Sequence, residues 1–590
     1  MQYIILAIIF LGGYSAAIKF NQNFVGSKDD HLINIFVFSV IFLLIYLINS
    51  YLLILNIELR IINFLFFIFF LVSFLLLFLK KIKFKILSSN KLNIFKKNYL
   101  ITLILFCYFI LILFPAFDED SLRYHLPIGK KMLDGNFFVN HWFDYISLGA
   151  NEFINVFFLN LNISYGSSII NYIYLIFFIV SIFSFQKKII KHSNDNFLLN
   201  VLILISSPYL ISLLTSQKLF LMPSVLSVLV IIYVFFYSEK INNFSLNIMG
   251  AVLIFCFLCK LTFITYLIFF YCAVFFFKFK KVNIIKFFLT QLLILIIMYF
   301  PILYIKYVIY KDPFLPIISL NKNNYDWFSE YKPWLTSYQL DITDTIENNL
   351  IKYILLPLKL IFPLAFSDIF KSLGLGVLLI LTCNFDDKKI KYLSIFFFFN
   401  VLVLQNTQTR WFLPFLIFIS FFANINKYKL FKNLIKFQSI CALIIIIPLS
   451  IITVLSIFNL PKTDYFKNLF YNSNTITKEI NQKYNDQNIY TSLNTFHDIK
   501  NFIPIYYPQI VLKMDKNYYL KSYKKNDLVL WKKLERYALG DFKSFDEFAY
   551  TAFKCSKYTL VKKYKYNNSR FFIINKTSEV FLYRLNCASP

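Results

Sequence analysis

Charge is scarce in this chain. Only 15% of its 590 residues are Asp, Glu, Lys or Arg, against 58% that are hydrophobic, and the mean hydropathy is +0.63. No soluble core absorbs that much apolar sequence, so a water-soluble globular protein is excluded. Acids are scarcer than bases, 31 against 60, leaving a net charge of +29. Such an excess raises nucleic acid as a partner, but the bases sit on short turns between apolar runs, where they orient a membrane protein. No nucleic acid is therefore expected. Cysteine is sparse too, with eight scattered residues. Cys256 and Cys259 lie inside an apolar run, which argues against a zinc knuckle or a redox motif. Cys555 and Cys587 lie in the C-terminal tail and are able to pair if that tail is exported. No basic n-region precedes the first apolar run, Tyr3–Ala17, so that run is expected to be retained rather than cleaved. No internal repeat is found.

What is abundant is apolar sequence in runs of about twenty residues, the length that crosses a bilayer. The high counts of Phe and Tyr, 75 and 41, are read as compositional bias rather than as a ligand box. The fold class expected is a polytopic α-helical membrane protein with about fourteen transmembrane helices. Three extra spans and a basic loop fill residues 1–98, and the main membrane module is 99–458. Its segments include Phe197–Leu214, Leu373–Phe385 and a Pro-broken stretch, Leu350–Phe366, read as interfacial or re-entrant. The loop carrying Lys80, Lys81, Lys83, Lys85, Lys91, Lys96 and Lys97 is expected on the cytoplasmic side, as are those around Lys187 and Lys278. The loops 117–166 and 310–349 then face outward. From about Asn459 polar residues rise and no run is long enough to span. Short strand-like pieces there, Asn488–Leu493, Gln509–Lys513, Leu528–Trp531, Tyr558–Val561, Phe571–Ile574 and Val580–Tyr583, flank a helical pattern at Phe542–Phe553. Residues 459–590 are thus expected to form a small extracytoplasmic α/β domain.

The stretch from Phe117 to Glu152 carries the chemistry. Asp118, Glu119 and Asp120 sit where an apolar run, Tyr99–Phe114, meets water, followed by Arg123, Tyr124, His125, Pro127 and Trp142. Adjacent carboxylates disfavour one another's charge, and ionisable groups at a membrane boundary are costly unless they pair or work. A helix cap is the ordinary alternative. Across the chain, Lys218, Lys260 and Arg410 stand at outward loop tips beside apolar runs. Acids on one loop with cations on others suit transfer from a lipid-phosphate sugar donor. A carboxylate deprotonates or orients the acceptor hydroxyl, and cations stabilise the departing polyprenyl phosphate. Lysines at such positions also snorkel to head groups. Arg410, flanked by Gln405, Gln408 and Trp411, is the stronger candidate because its guanidinium fork matches phosphate oxygens.

Asp120-Ser-Leu-Arg123-Tyr124-His125-Leu-Pro127, at the end of an apolar run, resembles the first-loop motif of the GT-C membrane glycosyltransferases. It is similar to the branch holding the protein mannosyltransferases and lipid A aminoarabinose transferases, together with their uncharacterised bacterial relatives. Lys130, Gly135 and Glu152, in SLGANEF, match the positions that follow in those relatives. Lys260-Leu-Thr, Asp312-Pro313-Phe-Leu-Pro316 and Thr409-Arg410-Trp-Phe-Leu-Pro414 resemble later elements, with Asp312 where the family has Asn. The resemblance covers the chain from Tyr99 onward, and the first three runs have no counterpart in it. It implies a GT-C-like fold and a catalytic acid in the first outward loop. Asp120 matches by its register with Tyr124-His125, whereas Asp118-Glu119 resembles the Asp-Glu pair of the mannosyltransferases, so the choice among the three stays open. It implies substrate-binding roles for Arg123, Tyr124, His125, Glu152, Lys260 and Arg410, and Lys218 joins them by its place at an outward loop tip. His125 is read as a positioning or packing residue. A metal role has no second ligand in the local spacing, so no metal site is assigned and a divalent cation stays open.

The expected partners are a polyprenyl-phosphate-linked sugar donor, a glycan, lipid or protein acceptor, and membrane lipids. The expected location is the bacterial inner membrane, with the active site on the extracytoplasmic face. The rival readings are a flippase or transporter of lipid-linked oligosaccharide and a glycan polymerase. A transporter would put charges within its spans and interrupt helices in related halves.

Overall fold

A computed structural model describes residues 2–24, 31–79, 99–113, 121, 125–133, 137, 148–185, 194–237, 241–277, 283–310, 313–314, 355–362, 370–403, 409–457, 473–491, 502–504, 512, 516–517, 519–520, 523–532, 542, 544–567 and 577–587. The chain forms two compact units. One comprises Met1–Pro115, Gly149–Tyr304 and Ser337–Ile451, the other Ala116–Leu148, Ile305–Thr336 and Ile452–Pro590.

Among the described residues six helices are long and apolar enough to cross a membrane, or seven if one bent pair counts as a span. The chain is a helical membrane protein. Two of the six differ sharply in setting. Helix α1, His31–Ile54, is 72% buried over its most apolar window, whereas α2, Leu59–Leu79, is only 17% buried. Ile61, Phe64, Leu65, Phe69, Val72 and Leu75 of α2 are exposed, a stripe suited to lipid. Helix α3, Ala150–Asn160, is short, and its residues 150–158 are all buried. Helices α4, Gly166–Phe185, and α5, Asn243–Cys259, follow, with α6, Leu413–Phe422, completing the buried set used below.

Several expected spans take another form. Phe197–Leu214 is two helices, Phe197–Ile205 and Pro208–Leu214, bent by 63°. Pro208 has no amide hydrogen and clashes with the preceding turn, so the ladder breaks before it. Leu373–Phe385 is not an α-helix. Its core is an eight-residue 3-10 run, Leu375–Thr382. At about 2 Å per residue that run covers roughly 16 Å, about half of a bilayer core. Of Leu350–Phe366, only Leu355–Phe362 is described, with a six-residue helix over Leu356–Ile361 that carries Pro357 in its first turn. Among the described residues five further apolar helices have only 10–17 residues.

In the second unit the tail carries a five-stranded sheet in the order β2-β1-β3-β5-β4. The strands are β1 Ile489–Thr491, β2 Phe502–Pro504, β3 Leu528–Lys532, β4 Tyr558–Asn567 and β5 Thr577–Leu585. β1 pairs in parallel with β2 and β3, and β5 runs antiparallel to β3 and β4. Helix α7, Ser473–Lys483, lies against one face through Ile476 and Ile480. Helix α8, Phe545–Phe553, packs on the other through Phe545, Phe548 and Phe553 against Trp531 and Tyr490. Ser544 caps α8 by accepting from the Glu547 amide at 3.1 Å. Four of the six expected strand-like pieces fall on β1, β3, β4 and β5. Phe571–Ile574 lies outside the described residues, and of Gln509–Lys513 only Leu512 is described. β2 and α7 were not foreseen. Cys555 and Cys587 form a disulfide that joins the entry of β4 to the exit of β5.

Candidate functional site

Within the first unit, four chain segments meet at the beginning of α3. Glu152 is the third residue of α3, and it is 1% exposed. Its Oε2 accepts from the Gly149 amide at 2.7 Å, and its Oε1 accepts from Asn151 Nδ2 at 3.3 Å. A carboxylate there satisfies an orphan amide and sits at the positive end of the helix dipole. Gly149 is required by close approach: a Cβ built on it would lie 2.6 Å from the Leu258 carbonyl oxygen. The end of α5, which leads to Lys260, therefore lies directly on the start of α3.

The second segment is the turn at 215–221. Asn151 Nδ2 donates to Gln217 O at 3.3 Å, and the Gln217 side chain spans the start of α4, accepting from Ser167 N at 3.2 Å and donating to Ser168 Oγ at 3.0 Å. Asn171 donates to Lys218 O at 2.8 Å and accepts from Leu221 N at 3.2 Å. Side-chain amides thus hold both flanks of Lys218, whose own side chain is half-buried. An amide network of this kind leaves little freedom to the backbone that carries the lysine.

Lys260 caps α5 in an extended conformation before a 3-10 turn, Leu261–Phe263. Arg410 lies in another 3-10 turn, Thr409–Phe412, which is tied down by Thr409 Oγ1 donating to Lys371 O. Both cations address one ring. Arg410 Cζ is 4.9 Å and Lys260 Nζ 5.5 Å from the centroid of Trp411. Phe220, two residues after Lys218, meets the same ring edge-on at 5.2 Å and Phe263 at 5.7 Å. The Lys218, Lys260 and Arg410 turns therefore share one aromatic cluster. Among the described residues, Arg410 Nε, Trp411 Nε1 and Thr262 Oγ1 are buried without a hydrogen-bond partner. Leaving such groups unpaired costs about 1–3 kcal/mol each. Two of the three are donors only, so what they lack is an acceptor. Two cations beside unsatisfied donors, on an aromatic platform, can bind an anion such as a phosphate.

The structure thus brings Glu152, Lys218, Lys260 and Arg410 into one unit and onto adjoining turns. His125, in the second unit, is 7% exposed and precedes the helix Leu126–Leu133. Asp118, Glu119, Asp120, Arg123 and Tyr124 lie outside the described residues. Among the described residues no group of three His, Cys, Asp or Glu side chains is arranged to hold a metal ion. The sequence pattern did not single out Trp411 as the shared platform, nor the amides Asn151, Asn171 and Gln217. Their only signal was polar residues within apolar runs. The same signal marks Lys306, 4% exposed near the end of the helix Ile284–Tyr310.

Compared with known protein families, with curated proteins and with solved structures, the chain gives no match.

Proposed function

We propose that the protein is a membrane glycosyltransferase of the GT-C kind, moving a sugar from a polyprenyl-phosphate donor to an extracytoplasmic glycan, lipid or protein acceptor. The observation that carries this reading is the pair of cations on Trp411, with the buried, unpaired donors of Arg410 and Trp411 beside them. In the proposed reaction a carboxylate takes the proton of an acceptor hydroxyl. That oxygen bonds to the anomeric carbon as the bond from carbon to phosphate oxygen breaks. The bonding pair leaves on the polyprenyl phosphate, whose growing charge Arg410 and Lys260 stabilise. Glu152, held at the start of α3 by the Gly149 amide, orients what enters the cation site.

On this reading the chain makes about fourteen membrane passages, toward which the described residues supply six long helices, one bent pair and five shorter apolar helices. The tail stands outside the cytoplasm of a bacterial inner membrane, and the Cys555–Cys587 bond supports an oxidising surrounding for it. One observation favours transport of a lipid-linked oligosaccharide instead: the helix broken at Pro208 with a 63° bend, a form transporters use to bind cargo. The experiment that separates the two uses membranes containing the protein, a polyprenyl-phosphate sugar with a radiolabelled glycosyl group, and fractionated acceptors. Label appearing covalently on an acceptor supports transfer. Label that only changes leaflet, still on the polyprenyl phosphate, overturns it.

A further inference from the structure

Helix α3 presents a problem of placement. Its 11 residues cover about 16 Å at 1.5 Å per residue, too little to be held by the two membrane faces. Its flanks are apolar and buried, and apolar packing in lipid does little to stop a helix sliding along its axis, because lipid tails are as apolar as leucine. Directional bonds must set its depth. From the side of α4 they come from Ser167 Oγ, 3.0 Å from Asn151 Oδ1 and 2.8 Å from Asn155 Oδ1.

On another side they come from the N-terminal spans, which have no counterpart in the GT-C resemblance. Asn49 of α1 and Asn63 of α2 exchange side-chain amide bonds, 3.0 Å one way and 2.9 Å the other. Both residues are fully buried. The remaining Nδ2 hydrogen of Asn49 goes to Phe153 O at 3.2 Å, and that of Asn63 to Leu59 O at 2.8 Å. Phe153 follows Glu152 directly. At the far end of α3, Asn160 Nδ2 donates to Arg60 O of α2 at 3.0 Å. The rings of Tyr46 and Phe153 meet at 5.5 Å, and those of Phe70 and Phe157 at 5.8 Å. Both ends of α3 are thus fastened to the α1–α2 pair, and the pair itself is locked by reciprocal amides.

We infer that the N-terminal spans are a register clamp for α3, with Asn49 and Asn63 as positioning residues that fix the depth of Glu152 beside the cation site. The positioning role rests on the proposed function of that site, whereas the clamp itself does not. Asn49 touches no substrate on this reading. It acts through the Phe153 carbonyl.

The test uses the full-length protein in nanodiscs, with two readouts. The first is hydrogen–deuterium exchange of the α3 amides. The second is sugar transfer, with kcat and the donor KM measured separately. Asn49→Leu and Asn63→Leu are each expected to speed exchange in α3 about three- to tenfold, the size of one or two interhelical hydrogen bonds in a bilayer. Each is expected to lower kcat about tenfold or more, with donor KM little changed, because a misplaced group loses rate before it loses binding. Asn21→Leu is the control. It removes a comparably buried amide bond, Asn21 to Asn34 at 2.7 Å, between the preceding helix Gly13–Phe24 and α1, away from α3, and should leave both readouts unchanged. Unchanged α3 exchange in Asn49→Leu would overturn the clamp, and so would an equal effect in Asn21→Leu. Faster exchange with undiminished transfer would overturn the positioning role. If the wild-type protein transfers no sugar, the glycosyltransferase reading fails, and the exchange readout alone still decides the clamp.

Discussion

Arg410 lays its guanidinium on the indole of its own neighbour, Trp411, with Cζ 4.9 Å from the ring centroid. Stacking of this kind fixes the plane of the guanidinium while leaving its edge for hydrogen bonds. Because Arg410 Nε is buried without a partner among the described residues, that edge has an unmet need. Arg410→Ala should lower sugar transfer by roughly 2–4 kcal/mol of transition-state stabilisation, by analogy with a lost oxyanion donor. Trp411→Phe keeps the platform and removes the indole N–H, so its loss should be smaller. Initial rates in membranes with matched protein levels check both, and equal wild-type rates would remove the pair from the site.

The proposed function gives Glu152 two separable duties. As a cap it accepts from the Gly149 amide, which Gln can also do. As a charge it has no neutral substitute. Glu152→Gln should therefore keep thermal stability within about 0.5 kcal/mol while reducing transfer, whereas Glu152→Ala should also destabilise by about 1 kcal/mol. Thermal melts in detergent beside transfer assays distinguish the two duties. Normal transfer by the Gln variant would leave Glu152 a structural cap alone.

The acids of the first loop are tested singly. If one of them is the general base, its amide variant among Asp118→Asn, Glu119→Gln and Asp120→Asn should lose about 10²–10⁴-fold in rate while still binding donor. Loss in Asp120→Asn alone supports the register with Tyr124-His125, and loss in Asp118→Asn alone supports the Asp-Glu pair. Near-normal transfer by all three would end the glycosyltransferase reading.

The tail disulfide closes a separation of 32 residues. Cross-links of that span stabilise by about 2–4 kcal/mol in the chain-entropy account. Cys555→Ser with Cys587→Ser should therefore make the tail more sensitive to protease in intact membranes. Cysteine labelling from outside should reach an introduced tail cysteine and spare one placed near Lys85. The reverse pattern would contradict the proposed orientation.

The tail also carries a pH signal. Glu479 of α7 accepts from Lys562 of β4 at 2.7 Å and from Lys483 at 3.1 Å. The bond from Lys562, above all, lowers its pKa from the ordinary carboxylate value. Its contribution is therefore present above the ordinary range and is lost as pH falls through the lowered value. Asp527 has the opposite sign, because burial raises its pKa even though it accepts from Lys524 and Asn488. The protection factors of the β4 amides, followed from pH 6 to pH 3, should fall less steeply in Glu479→Gln than in the wild type. Identical profiles would mean that the Lys562 contact does not fasten α7 to the sheet.

The sequence by itself determined the class of the protein. Apolar run length and lysine asymmetry are local properties, and a bilayer reads them locally. The strands around Leu528 and Val580 and the helix before Phe553 were legible for the same reason, since alternation and capping need only near neighbours. The run Leu373–Phe385 misled because hydropathy does not distinguish an α-helix from a 3-10 run. Only the tertiary structure decided that Lys260 and Arg410 share one ring, that Glu152 closes onto Gly149 beneath Leu258, and that Asn49 reaches Phe153. These are contacts between segments far apart in the chain. Each depends on where whole helices dock, and inside a membrane the few polar bonds that set that docking leave no periodic trace in the sequence.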